Sequence, residues 1–187
     1  MFRFTVIVGG LLVTGMHSSG AADVEVGFGK ADITPDLGRH AVWMAGYGNN
    51  RRATGVHDSL WARAVVLREG ASKLALVSVD LVGIQRPAVI EVRERLPGYE
   101  HILVASTHNH EGPDVIGLWG PSQLESGVDS AYVEFVVEQI VAAVKAAEAT
   151  LTPAWAAYGT TEAPELLLDS RRLTNYPRPA RRSVVFS

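Results

Sequence analysis

Two histidines one residue apart, His108 and His110, are the side chains best suited to chemistry in this sequence. They lie in Ser106-Thr107-His108-Asn109-His110-Glu111-Gly112-Pro113-Asp114, directly after an apolar run, residues 101–106 (HILVAS). In an extended segment, residues i and i+2 share one face. Imidazole is a common nitrogen ligand for zinc, and a neutral imidazole also serves as a general base near pH 7. One ring can hold a metal while the other holds a substrate oxygen. The same stretch also fits a metal-free polar loop in which Asp114 caps a turn, and the local pattern leaves both readings open.

The elements around this stretch set its geometry. Residues 73–80 (KLALVSVD) and 101–106 are apolar, strand-like runs, and residues 87–96 between them carry Val89, Val92 and Leu96 at helical spacing. Pro87 suits a first helical turn, and Pro97-Gly98 stops the helix. Strand, helix and strand in that order predict a right-handed βαβ crossover with parallel strands. Ligands of open α/β sheets bind beyond the carboxyl ends of such strands. Asp80 and His108 are therefore expected at one sheet edge, where the imidazole pair and an aspartate meet around one ion. Taken alone, Asp80 reads as a turn or cap residue, Arg63 as a salt-bridge residue within a strand, and His57 as structural or supporting. His40 and His101 read as surface residues. Trp43, Met44 and Tyr47 fit the lining of an apolar pocket, with core packing the commoner reading.

Elsewhere, residues 24–28 and 61–68 read as strands, joined by a long glycine-rich loop of the kind that lines sites. Val133, Val136, Val137, Ile140, Val141 and Val144 fall on one face of a helix whose N-cap is Asp129, and this face is expected to cover the sheet. Residues 154–158 and 183–186 carry weaker strand signals. The fold class is α/β: a mixed, partly parallel sheet with a βαβ unit and covering helices.

The chain has 187 residues, 47% hydrophobic and 20% charged, with a formal net charge of -3. That composition supports a packed core and offers no basic field for nucleic acid. There are no cysteines, so neither disulfides nor thiolate ligands are available. Arg3 precedes an apolar run at residues 4–13, and Gly20-Ala21-Ala22 fits signal-peptide cleavage before Asp23. The run is shorter than the roughly 20 residues a membrane span needs. The sequence therefore divides into a signal peptide (1–22), a domain (23–170) and an Arg/Pro-rich tail (171–187), read either as disordered or as an element needing partners. The expected location is secreted or periplasmic, without a transmembrane span after cleavage.

Several segments together resemble one family, the neutral/alkaline ceramidases: Gly29-Lys30-Ala31-Asp32-Ile33-Thr34-Pro35, Met44-Ala45-Gly46-Tyr47, Gly55-Val56-His57, Trp61-Ala62-Arg63-Ala64, Val79-Asp80-Leu81, and residues 106–113 as the Thr-His-x-His-x-Gly-Pro motif. The resemblance implies zinc-dependent cleavage of the amide of ceramide or a related N-acyl lipid, with peripheral contact to a lipid surface. It implies His108 as a zinc ligand and His110 as the group that holds substrate or stabilises charge on the amide oxygen. It also implies Arg171 as an arginine near the substrate. The family takes its further zinc ligands, a His, a Glu and a Tyr, and its catalytic serine from later positions, and these have no counterpart here. The chain alone is thus expected to hold a partial zinc site and to be an inactive or incomplete fragment. Two other readings stay open. One is an exported binding module without chemistry. The other is a metal hydrolase of metallo-β-lactamase type, whose motif has Asp and His where Gly112 and Pro113 stand.

Overall fold

The computed structural model describes residues 24–39, 41–155, 159–162 and 182–185, the last two segments as backbone. The leader (1–22), His40 and Arg171 lie outside the described residues.

The elements run β1 (Val24–Asp32), β2 (Trp61–Glu69), β3 (Ser72–Val79), α1 (Arg86–Glu94), β4 (His101–Ser106), α2 (Ser130–Glu148), β5 (Thr152–Ala154), β6 (Gly159–Glu162) and β7 (Arg182–Val185). Five strands form one sheet in the order β4-β3-β2-β1-β5, and β6 pairs with β7 in a separate two-stranded sheet. β3 and β4 are parallel, with Val79 opposite Ser106, and the other neighbours are antiparallel. The fold is thus mixed α/β with the expected βαβ unit, β3-α1-β4.

Strand alternation sorts β2 into an inward row, Ala62, Ala64 and Val66, and an outward row that includes Arg63 and Val65. Ala75, Val77 and Val79 continue the inward row on β3. Both helices pack on this one face: Ala88 and Val92 of α1 and Val136, Val137, Ile140 and Val144 of α2 join the same core. Each fully buried Val or Ile contributes about 1.5–3 kcal/mol relative to exposure. The Asp129 carboxylate accepts from the N–H groups of Ala131 (2.9 Å) and Tyr132 (3.2 Å), fixing where α2 starts. On the buried side, the Tyr132 hydroxyl donates to the Ile33 carbonyl at 2.7 Å. Burial holds this phenol well above its ordinary pKa. The other sheet face is open among the described residues, leaving Phe28 67% and Leu103 57% exposed.

Three elements depart from the sequence expectation by more than one residue. β1 runs to Asp32 instead of stopping at residue 28, because full antiparallel pairing with β2 carries the unpatterned Gly29-Lys30-Ala31 along. A Cβ on Gly29 would lie 2.2 Å from the Ala143 carbonyl oxygen, so the glycine lets α2 settle on the strand. The helix expected at 87–96 spans Arg86–Glu94, with Leu96 buried beyond its end. Of the strand expected at 154–158, only Ala154 falls in β5, Thr152–Ala154, and residues 156–158 lie outside the described residues; Pro153 is tolerated because β5 is an edge strand. Among the described residues no helix is long and apolar enough to cross a membrane.

Candidate active site

The loops following β3 and β4 leave the same end of the sheet and are laced together. Thr107 N–H donates to the Val79 carbonyl (3.0 Å) and Asn109 N–H to the Leu81 carbonyl (3.3 Å). His108 sits in this lacing with φ +61, a left-handed conformation uncommon for a non-glycine residue. Its Nδ1 is 2.8 Å from the Val82 carbonyl oxygen. A carbonyl only accepts, so Nδ1 carries a proton, and in the neutral ring Nε2 keeps its lone pair. Metal-ligating histidines are commonly oriented by such a bond.

His110 stands edge-on to His108, with ring centroids 4.7 Å apart and planes at 88°. Tyr47 (5.4 Å) and Trp119 (6.1 Å) flank it. Its Nδ1 is buried without a hydrogen-bond partner, a costly state for a polar nitrogen unless a ligand or ordered water meets it. Gly46 presses on the same ring: a Cβ there would lie 1.9 Å from His110 Nδ1. Gly46 holds φ +89, so both its conformation and its closeness to the ring require glycine.

Asp80 does not join the imidazole pair. Its Oδ2 accepts from Arg63 Nη1 (2.7 Å) and Trp61 N–H (3.0 Å), which ties the carboxylate to β2. Among the described residues no three His, Cys, Asp or Glu side chains gather as a metal would need. The expectation that an aspartate meets the two imidazoles is thereby corrected: the strand end is shared, but the Arg63 ion pair turns the carboxylate elsewhere. Arg63 has the salt-bridge role expected of it.

Asp114 adopts the turn-capping role. It is 1% exposed, Oδ1 accepts from Ile116 N–H (3.0 Å) and Gly117 N–H (2.9 Å), and Oδ2 accepts from Trp119 N–H (2.9 Å). This cap folds the chain after His110 back so that Trp119 reaches the ring. His57 is 97% exposed and paired with Asp58, which raises its pKa by hydrogen bonding and charge. It stands at the rim of a cleft of about 610 Å³ lined by Asn109, Glu111 and Gly112, and neither His108 nor His110 lines that cleft. A larger hollow of about 730 Å³ lies over the open sheet face, lined by Phe28, Leu76 and Leu103. His101 is a surface residue as expected.

Trp43 and Met44 are half-buried, but Tyr47 is 78% exposed, contrary to the core reading. Its φ of +57, between Gly46 and Gly48 (φ +100), turns the ring out over His110. Sequence reasoning missed Arg51, whose Nη1 donates to the Gly46 carbonyl at 2.9 Å, and Trp119. It also had no way to find the Val82 carbonyl, since a backbone acceptor leaves no trace in residue type.

The family described as neutral/alkaline non-lysosomal ceramidase, N-terminal, matches residues 24–174. The neutral ceramidase of Pseudomonas aeruginosa is 33% identical over 147 residues, covering 73% of this chain and 22% of that protein. A solved structure described as a ceramidase complexed with C2 superposes with a TM-score of 0.64 at 31% identity. The crystal structure of the Pseudomonas aeruginosa neutral ceramidase gives 0.63, also at 31% identity. Both alignments cover 76% of this chain and 24% of the solved chain, so the chain spans about a quarter of the length of these relatives. Matched over most of its length and sharing the mixed sheet and its helices, the chain belongs to the neutral/alkaline non-lysosomal ceramidase family and falls in that family's N-terminal region.

Proposed function

We propose that this chain carries one part of the site of a zinc-dependent amide hydrolase acting on ceramide-type, N-acyl lipid substrates. The observation that carries the reading is the His108 Nδ1 to Val82 carbonyl bond, which leaves Nε2 as a lone-pair donor beside the second imidazole. Nδ1 of His110 is covered by Gly46, so the ring is held by packing beside His108. The donor set fits zinc in part: His108 supplies one imidazole where a catalytic zinc site takes three protein ligands and an open position, and the described residues gather no such trio.

In this reading His108 binds through Nε2 and His110 holds the amide oxygen or stabilises the charge developing there. Tyr47 and Trp119 narrow access of water to the imidazole pair. Zinc, when bound, supplies a Lewis acid that polarises the amide carbonyl. Arg171 is proposed as a substrate contact. The further donors and the serine expected from the family resemblance have no counterpart in this sequence, so the 187-residue chain is proposed to turn over little or no substrate by itself. The leader at 1–22 suggests a secreted or periplasmic location, where contact with a lipid surface gives access to the substrate.

Zinc titration of the chain by calorimetry tests the metal assignment. His108→Ala should lower the affinity at least about tenfold, since it removes a ligand instead of merely disturbing one. Equal heats from wild type and His108→Ala would remove zinc from the proposal. Zinc-dependent hydrolysis of a ceramide analogue by the chain alone would overturn the partial-site reading.

A further inference from the structure

We propose that Arg51 is a positioning residue for His110, acting through the left-handed turn at Gly46–Tyr47. The inference rests on reading the His108–His110 pair as functional and assigns how its second ring is held. His108 is anchored by a hydrogen bond at Nδ1, whereas His110 has none there. An imidazole turning on two soft torsions needs some other constraint, and here packing provides it. Gly46 abuts the Nδ1 edge of the ring in its own plane: a Cβ at that position would meet Nδ1 at 1.9 Å and Cγ and Cε1 at 2.9 Å each. Three successive residues, Gly46, Tyr47 and Gly48, hold positive φ, a conformation that Tyr47 does not favour by itself.

Arg51 holds this turn in place. Nη1 donates to the Gly46 carbonyl at 2.9 Å, and the guanidinium carbon lies 5.5 Å from the Tyr47 ring centroid. Nη2 is 3.9 Å from Glu111 Oε1, on the residue after His110. One side chain thus joins the turn at the Nδ1 edge of the imidazole to the residue that follows His110. The planar guanidinium fork reaches these groups together; an ammonium acts as a single point charge and serves fewer of them. Backbone bonds from Met44 N–H to the Arg51 carbonyl (2.8 Å) and from Ala45 N–H to the Gly112 carbonyl (2.9 Å) close the same frame.

The test is the Hε1 NMR signal of His110 in the zinc-free, isotopically labelled chain, identified by its loss in His110→Ala. In wild type the neighbouring Tyr47 and Trp119 rings should displace it from the signal of the exposed His101. Arg51→Ala should broaden it or return it towards the His101 position, with the His101 signal and far-ultraviolet circular dichroism unchanged. Arg51→Lys, which keeps the charge and most of the stem, should restore the displacement only in part. A His110 signal at its wild-type position in a folded Arg51→Ala chain overturns the proposal. Should Arg51→Ala unfold the chain, Arg51→Lys decides, because full wild-type displacement in that variant also overturns it. Zinc titration of the same wild-type sample separates the two readings. Absence of zinc binding removes the metal assignment but leaves the zinc-free imaging of His110 and its dependence on Arg51 intact.

Discussion

Replacing Asp114 should reveal how the loop carrying His110 is kept in shape. The carboxylate is buried and accepts three backbone N–H bonds, two at Oδ1 and one at Oδ2. Hydrogen bonds to an ionised acceptor are worth about 1.5–3 kcal/mol each, and an orphaned buried donor costs about 1–3 kcal/mol. Asp114→Ala strands all three donors. Water entering the vacated space recovers part of that loss, so the net destabilisation should be about 3–5 kcal/mol, a large share of the 5–15 kcal/mol typical of a domain. Asp114→Asn keeps the shape. Its amide oxygen can serve Ile116 and Gly117, but its NH2 then faces the Trp119 N–H, donor against donor, and about 2 kcal/mol should go. Urea unfolding followed by tryptophan fluorescence and circular dichroism measures both variants. The expected order of stability is wild type, then Asn, then Ala. Asp114→Asn within about 0.5 kcal/mol of wild type, the scatter of ordinary surface changes, would refute the argument that both carboxylate oxygens are needed as acceptors.

Two further outcomes follow from the packing. Gly29→Ala should lower stability by about 2–3 kcal/mol, because its Cβ would meet the Ala143 carbonyl at 2.2 Å and push α2 off the sheet, whereas Gly55→Ala, with nothing within 4 Å, should be nearly neutral in the same thermal melt. Equal melting points for the two variants would contradict the close approach of α2 to β1. Glu148 takes a hydrogen bond from Lys73 Nζ (2.9 Å) and one from the Tyr99 hydroxyl (3.0 Å), and the Lys73 bond leads in holding its carboxyl below the ordinary value of 4.5. A depressed folded-state pKa gives stability that is present above the unfolded value and lost as pH falls through the folded one. Glu148→Gln should therefore lose less stability than wild type on acidification below pH 4.5, and parallel curves for the two proteins would remove the assignment.

The βαβ unit was legible because its signals are local. Residues 101–106 form β4 with the expected bounds, and β-branched runs on either side of a Pro87-started helix leave few other arrangements. The Asp129 cap was legible for the same reason. Beyond residue 28, β1 was not, because Gly29, Lys30 and Ala31 carry no alternation of their own, and their extended form is imposed by pairing with Arg63 and its neighbours. At the site, the motif located both imidazoles but not their partners. The Val82 carbonyl holding His108 and the Arg51 guanidinium bracing the Gly46 turn come from loops far away in sequence. Asp80 shows the limit of topology: strand direction brought it to the expected edge, while its side chain went to Arg63. Tyr47 shows the limit of hydrophobicity, since an aromatic ring read as core is turned outward by a positive φ.

β1 is hydrogen-bonded on one side to β2 and on the other to β5, with Val24 opposite both Glu69 and Ala154. The first strand and a strand 128 residues later are therefore closed by the same residue, and the Thr150 hydroxyl adds a bond to the Phe28 carbonyl at 3.0 Å. On a ribosome, the β1–β2–β3 meander can assemble early, but it stays one-sided until α2 and β5 have emerged. Non-local closures of this kind slow folding, since chain entropy must be given up before the contacts are gained. The β5 edge of the sheet can therefore close only once residue 154 is available to pair with Val24.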